Sequence, residues 1–104
     1  MSEQIVVYVD EDLEDLVPGF LENRNEDIDS IKQLIQDGNF PDVQRIGHSM
    51  KGSGGGYGFD KISEIGKGIE EFAKSESKDE ILKLVNDLAH YLSVIKIEFI
   101  ESEW

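Results

Sequence analysis

The 104-residue chain carries a formal net charge of −13 at pH 7 and contains no cysteine. The charge argues against nucleic-acid partners, which it would repel, and the cysteine count excludes disulfides and thiolate metal sites. No apolar run approaches the roughly 20 residues that span a bilayer, and the first residues lack a basic signal region, so we expect one cytoplasmic domain over residues 1–104 without membrane contact.

The N-terminal segment begins with an apolar run at residues 5–9. We interpret it as an extended arm, because no second strand-like segment is evident to pair with it. Asp10 is a good N-cap for a short helix over residues 10–17, after which Pro18 breaks or kinks the chain. A short additional helix is therefore predicted before the main body of the fold.

Four longer helices follow, each with an apolar stripe of helical period. Gly38 is a plausible left-handed end for the first of them, and Pro41 fits the first turn of the next. A capping-box pattern at residues 77–80 opens the last helix, whose stripe is Ile81, Val85, Leu88, Leu92, Ile95 and Phe99. The predicted helices cover about residues 10–17, 18–37, 41–56, 60–74 and 78–101. Burying these stripes predicts an all-α fold, an antiparallel four-helix bundle with a short additional N-terminal helix.

The predicted helix over residues 41–56 begins an unusual glycine-rich interval around one of the two histidines. Six glycines fall within residues 47–58, together with His48. Each glycine costs about 1 kcal/mol in a helix interior, so the chain either turns here or is approached closely by another group. Residues 43–59 also form the longest interval without Asp or Glu, although they include Arg45 and Lys51. Either an anion is accommodated there, or a glycine-rich segment simply has few positions for charge.

Helical spacing predicts that His48 faces solvent, because it lies two residues from both Ile46 and Met50 of the apolar stripe. The positions that neighbour it on that face are Gln44, Arg45, Lys51, Gly52 and Gly55. A neutral imidazole is a good nucleophile towards a phosphoryl group, and Lys51 can offset the charge of the phosphoryl oxygens. The bare glycines leave room for a partner's active site, with Gln44 and Arg45 flanking its approach.

Other interpretations of these residues are weaker. An isolated exposed histidine is more often an ordinary surface residue, as we expect for His90, which has Ser93 and Val94 at plus three and plus four. The glycines match neither the phosphate-binding P-loop nor the dinucleotide-binding spacing. Two histidines on different helices do not make a convincing metal cluster, so we expect no bound cofactor and no metal.

The sequence resembles the histidine phosphotransfer (HPt) domain family. The resemblance lies in His48-x-x-Lys51-Gly52, followed by Gly58-Phe59 and by Ile62, Ile65 and Ile69. It implies that His48 is phosphorylated on its outer ring nitrogen and exchanges the group with an aspartate of a receiver domain. It also implies that the receiver brings the Mg²⁺, while this chain brings Lys51 and the glycine surface. The triple glycine at residues 54–56 departs from the family, whose members often carry alanine or other small residues there.

The expected function is that of a phosphocarrier in a multistep phosphorelay, with receiver domains and a hybrid histidine kinase as partners. No ATP-binding motif is present and no acid follows the histidine directly, so we expect neither enzymatic activity nor self-phosphorylation. A monomer suffices, since a single exposed site needs no second subunit. Two alternatives stay open: a receiver-binding adaptor that does not transfer phosphate, and the phosphoacceptor module of a chemotaxis-type histidine kinase.

Overall fold

A computed structural model describes residues 3–101 and consists mostly of four helices joined by short connections. The predicted domain over residues 1–104 therefore has its first two and last three residues outside the described range. The helices are α1 (Val17–Gln36), α2 (Phe40–Gly56), α3 (Asp60–Lys74) and α4 (Lys78–Val94). Two strands flank them, β1 (Ile5–Asp10) and β2 (Ile95–Ile100). No helix within residues 3–101 is long and apolar enough to cross a membrane.

The C-terminal end of the last predicted helix is a strand, which corrects the expected range of 78–101. Helix α4 ends at Val94, and Ile95 already has extended backbone angles, with φ −75° and ψ 142°. From there β2 pairs in parallel with β1, with Ile5 opposite Ile95 and Val9 opposite Phe99. A spacing of four residues, as between Ile95 and Phe99, fits a strand as well as a helix, because it is also a multiple of two. The apolar run at residues 5–9 is thus a paired strand and not a lone arm.

The predicted helix over residues 10–17 is also wrong in extent. Asp10 does act as an N-cap and accepts a hydrogen bond of 2.9 Å from the Asp12 backbone N–H. The helix that it caps is a single 3₁₀ turn, Glu11–Leu13. Pro18 does not break the chain but lies in the first turn of α1, where its missing N–H costs nothing.

The other helix ends lie close to the predicted ones. Gly38 adopts the left-handed conformation after α1, with φ 73°. The Asn39 side chain caps α2 by accepting from the Asp42 N–H at 3.3 Å, and Pro41 lies in the first turn as predicted. Ser77 is the N-cap of α4, but its side chain makes no capping bond and contacts the Ser75 hydroxyl at 2.8 Å instead.

The predicted apolar stripes form the core, except at the end of the last one. Phe99, which lies on β2, is 39% exposed. The buried residues of the helical stripes are Phe20, Ile28, Ile31, Ile35, Val43, Met50, Ile62, Ile65, Ile69, Ile81, Val85 and Leu88. Strand β1 adds Val7 and Val9 to this core, and the Tyr8 carbonyl of the same strand lies against Gly58 in the turn between α2 and α3.

Helices α2 and α3 approach each other more closely than ordinary side chains would allow. A Cβ added to Gly47 would lie 2.7 Å from the Glu70 backbone nitrogen, and one added to Gly66 would lie 2.5 Å from that of Lys51. Further along, a Cβ on Gly54 would lie 2.6 Å from the Ser63 nitrogen. Because these neighbours are backbone atoms, they could not move aside without separating the helices. The glycines therefore determine the distance between α2 and α3, and with it which side chains meet across them.

A buried cation joins α1 to α2. Arg24 is 9% exposed and donates through Nη1 to the Ser53 hydroxyl at 3.0 Å. Its Nε donates to Asp27 at 2.8 Å, and its guanidinium lies 4.9 Å from the centre of the Phe20 ring. Two of the guanidinium nitrogens thus have hydrogen-bond partners, and one of these partners is a carboxylate, which suits a buried charge. This contact joins α1 to α2 at Ser53.

Candidate functional site

His48 lies on the solvent-facing side of α2, as its spacing predicts. Its side chain is 70% exposed, whereas Met50, two residues on, is completely buried. Gly52 and Gly55 follow along α2, and a Cβ at either position would have no atom within 4 Å. The imidazole therefore projects beside a strip of bare backbone that a partner could approach.

A carboxylate from the next helix holds the inner nitrogen of this imidazole. Glu70 of α3 accepts from His48 Nδ1 through Oε2 at 2.7 Å, and its Oε1 lies 2.9 Å from Lys51 Nζ. The Glu70 side chain is only 11% exposed, while that of Lys51 is 39% exposed. One buried carboxylate thus joins the two candidate residues, each through its own oxygen.

This contact determines which nitrogen of His48 can react. An ionised carboxylate only accepts hydrogen bonds, so Nδ1 must carry the hydrogen. In a neutral imidazole Nε2 then holds the lone pair, and the hydrogen bond from Nδ1 to Glu70 fixes the orientation of the ring. The outer nitrogen, on the exposed side of the ring, is consequently the nucleophilic one. The same logic lets an aspartate orient the histidine of a hydrolase triad.

Electrostatics keep Glu70 in its ionised form. The hydrogen bond from Lys51 lowers the pKa of the Glu70 carboxyl, the hydrogen bond from His48 and the positive charge of Lys51 act in the same direction, and desolvation opposes them. Because the folded-state pKa lies below the ordinary value, the stabilisation from ionised Glu70 is complete above the ordinary glutamate pKa. It is lost as the pH falls through the lowered folded-state pKa. At neutral pH the carboxylate acceptor is therefore maintained.

We expect Glu70→Gln to slow phosphoryl transfer through His48 by on the order of tenfold, a typical effect of removing a charge-assisted hydrogen bond. The amide oxygen can still accept from Nδ1, so the tautomer persists, but the negative charge that stabilises a positive imidazole is gone. The measurement is the single-turnover rate of phosphoryl transfer. Glu71→Gln is the matched control, because it removes the same charge from the adjacent, exposed position. Equal rates for Glu70→Gln and Glu71→Gln would contradict the role of the carboxylate.

The second histidine offers a useful contrast. His90 Nε2 lies 2.8 Å from Glu3 Oε2, so it also has a carboxylate partner. Glu3, however, is 57% exposed, and no lysine within residues 3–101 forms an ion pair with it. The contact with Glu3 involves Nε2, the outer nitrogen of the ring. His90 thus lacks the buried carboxylate and the bare glycine strip that surround His48.

The remaining predicted site residues lie around His48 but take no part in its hydrogen bonds. Gln44 is partly exposed on the preceding turn of α2, and Arg45 is exposed and paired with Asp42. Arg45 also lines an open groove of about 600 Å³ between α1 and α2. Within residues 3–101 no cluster of three or more acidic or histidine side chains could hold a metal ion.

Glu70 is the candidate site residue that sequence reasoning missed. The interval without acids suggested a site composed only of α2 residues, but the carboxylate comes from 22 residues further along the chain. A signal existed in the spacing of Ser63, Gly66 and Glu70, which places them on one face of α3. Recognising it required knowing that this face meets the glycines of α2 and does not face solvent.

Comparison with known protein families agrees with this arrangement. The family model described as Hpt domain matches residues 15–97, which include all four helices and both histidines. Searches of curated proteins and of solved structures gave no significant match. The extent of the family match, from the approach to α1 into β2, shows that the chain belongs to the Hpt domain family, the histidine phosphotransfer modules of two-component signalling.

Proposed function

We propose that this protein is a stoichiometric phosphocarrier that receives a phosphoryl group on Nε2 of His48 from the aspartyl phosphate of a receiver domain. It then passes the group to another receiver in a multistep phosphorelay. The observation that carries the proposal is the 2.7 Å bond between Nδ1 and buried Glu70, which leaves Nε2 as the exposed nucleophile. The chain would act as a cytoplasmic monomer built on an antiparallel four-helix bundle.

In the proposed step the Nε2 lone pair of His48 forms the N–P bond. The bond between phosphorus and the receiver's aspartate oxygen breaks, and its electron pair returns to that carboxylate. The imidazole becomes positively charged as the N–P bond forms, while the Nδ1 hydrogen stays directed at Glu70. The negative charge of Glu70 offsets this developing charge, and transfer to the next receiver is the same step in reverse. The Mg²⁺ and the acidic residues around the aspartate belong to the receiver.

Lys51 has two parts in the proposal. It keeps Glu70 ionised through the 2.9 Å contact, and its partly exposed ammonium group adds positive charge on the side of α2 where the phosphoryl group arrives. Phosphoryl transfer depends mostly on positioning and on stabilising charge, and Lys51 contributes to both through Glu70.

The bare strip next to His48 is the proposed docking surface, with Gln44 and Arg45 at its other end. We expect Gly52→Gln to weaken receiver binding about tenfold, because a long side chain would fill the open space at that position. The fold should become slightly more stable, since glutamine is a better helix former by somewhat less than about 1 kcal/mol. Receiver Kd and the free energy of unfolding are the measurements.

The control for this substitution is Gly19→Gln on α1, which is exposed and also has no atom within 4 Å of its Cβ position. It should leave the receiver Kd unchanged. Receiver binding by Gly52→Gln with wild-type affinity would show that close approach at this glycine is unnecessary.

The proposed function is tested by mixing the protein with each phosphorylated receiver domain of the source organism and following the labelled phosphoryl group. We expect at least one receiver to transfer its group within seconds, giving acid-labile, base-stable phosphate on this chain. Receivers that bind the protein without any transfer would support the non-transferring adaptor instead. The set of receivers that exchange phosphate would also identify the pathway.

A further inference from the structure

We propose that Lys67 of α3 is the cation that binds the phosphoryl oxygens once His48 is phosphorylated. The proposal rests on the proposed function, since it needs a phosphoryl group on Nε2. The sequence pattern around His48 would assign the binding of the phosphoryl oxygens to Lys51 of α2 alone. The proposal assigns it to a residue of α3.

The argument starts from the charge already used in the site. Lys51 lies 2.9 Å from Glu70, and that carboxylate also accepts from His48. Lys51 and Glu70 therefore compensate each other before any phosphate arrives. A phosphoryl group adds about 1.5 to 2 negative charges, which this neutral pair does not offset. A second cation beside His48 would be needed to balance them.

The contacts between α2 and α3 place Lys67 at the level of His48 along the two helices. Gly66 packs directly against α2, where its Cβ position would lie 2.5 Å from the Lys51 nitrogen and 2.8 Å from the Gly47 carbonyl. His48 follows Gly47 on α2, and Lys67 follows Gly66 on α3. Lys67 therefore lies beside the stretch of α2 that carries His48.

Helical geometry places Lys67 on the same rim as the imidazole. It precedes Glu70 by three residues, so the two are about 4.5 Å apart along the α3 axis and about 60° apart around it. Glu70 points into the groove between the helices and is buried, whereas Lys67 is exposed. Because Lys67 is exposed, its side chain lies on the solvent side of the groove between α2 and α3, the side on which His48 also projects.

Lys67 also has no competing partner in the described structure. It forms no ion pair with any residue between positions 3 and 101, although Glu64 and Glu71 lie within one turn of it on α3. A lysine side chain can extend along the protein surface and still present its ammonium group to water. The group can therefore turn towards a phosphoryl anion without breaking an existing contact.

The test uses the whole chain and phosphoramidate as a small-molecule phosphoryl donor, so that no receiver is involved. Wild type, Lys67→Ala, Lys67→Arg and the distant exposed control Lys83→Ala are phosphorylated on His48. The pKa of the phosphoryl group is then read from the pH dependence of its ³¹P NMR shift. A nearby cation favours the dianion of the phosphoryl group. Because Lys67→Ala removes that cation, we expect it to raise the proton affinity of the phosphoryl group about two- to fivefold. Lys67→Arg should restore the wild-type value, Lys83→Ala should not change it, and the difference should shrink in high salt.

The outcomes separate this proposal from the proposed function. A phosphohistidine signal that titrates identically in wild type and Lys67→Ala would overturn the role of Lys67 and leave the role of His48 intact. A raised proton affinity that Lys67→Arg does not restore would also overturn it, because the charge would not be responsible. Absence of phosphohistidine in the wild type, with the protein folded, would instead contradict the nucleophile itself.

Discussion

His48→Gln is expected to abolish phosphoryl uptake from every receiver, whereas His90→Gln retains it at the wild-type rate. The glutamine amide has no nucleophilic nitrogen lone pair, so the N–P bond cannot form. Phosphoryl uptake should fall by more than about a hundredfold, because the substitution removes the reacting group itself and not an auxiliary group. Labelled phosphate on the chain, measured after mixing with a phosphorylated receiver, gives the result directly.

Neither histidine substitution should disturb the fold. The His48 side chain is 70% exposed and that of His90 is 61% exposed, so neither substitution opens a cavity in the core. Circular dichroism and thermal unfolding should show both variants folded. Persistent labelling of folded His48→Gln would place the phosphoacceptor elsewhere and remove the basis for the proposed mechanism.

Gly66→Ala is expected to destabilise the fold by about 1–3 kcal/mol, which is unusual for a glycine-to-alanine change within a helix. The new methyl group would lie 2.5 Å from the Lys51 nitrogen, 2.8 Å from the Gly47 carbonyl and 2.9 Å from the Met50 Cβ. These atoms can withdraw only if α2 moves away from α3. For a domain of this size the melting temperature should fall by roughly 4–8 °C per kcal/mol.

The same displacement should affect the site. Moving α2 away from α3 lengthens the contacts that Glu70 makes with His48 and Lys51, so Gly66→Ala should also slow phosphoryl transfer. The matched control is Gly52→Ala, whose methyl group has open space around it. It should stabilise the protein by up to about 1 kcal/mol, because only helix propensity changes. Equal stabilisation by both substitutions would contradict the close contact between α2 and α3 at Gly66.

The helical body of the fold is well predicted by local pattern. The apolar stripes, Gly38 and Pro41 define where α1, α2 and α3 lie, since each signal depends on neighbours within one or two turns. The strand β2 is missed because Ile95 and Phe99 continue the helical stripe of α4 by coincidence of spacing. The alternation of Ile95, Lys96, Ile97 and Glu98 carries the strand signal, but its partner β1 lies about ninety residues earlier in the chain.

The candidate site is predicted only as far as one helix determines it. The exposure of His48 and the open strip at Gly52 and Gly55 follow from periodicity within α2. The part played by Glu70 does not, because it depends on how α3 is placed against α2. The glycines illustrate the same limit: Gly52 and Gly54 look alike in sequence, yet one borders open space and the other touches the Ser63 backbone.

The position of the phosphoryl group on the imidazole of His48 tests the central claim most directly. Long-range ¹H–¹⁵N NMR of the phosphorylated protein distinguishes the two ring nitrogens of each histidine. We predict phosphorus on Nε2 of His48, with the unphosphorylated ring carrying its hydrogen on Nδ1 towards Glu70. Phosphorus on Nδ1 of His48, or on His90, would contradict the account.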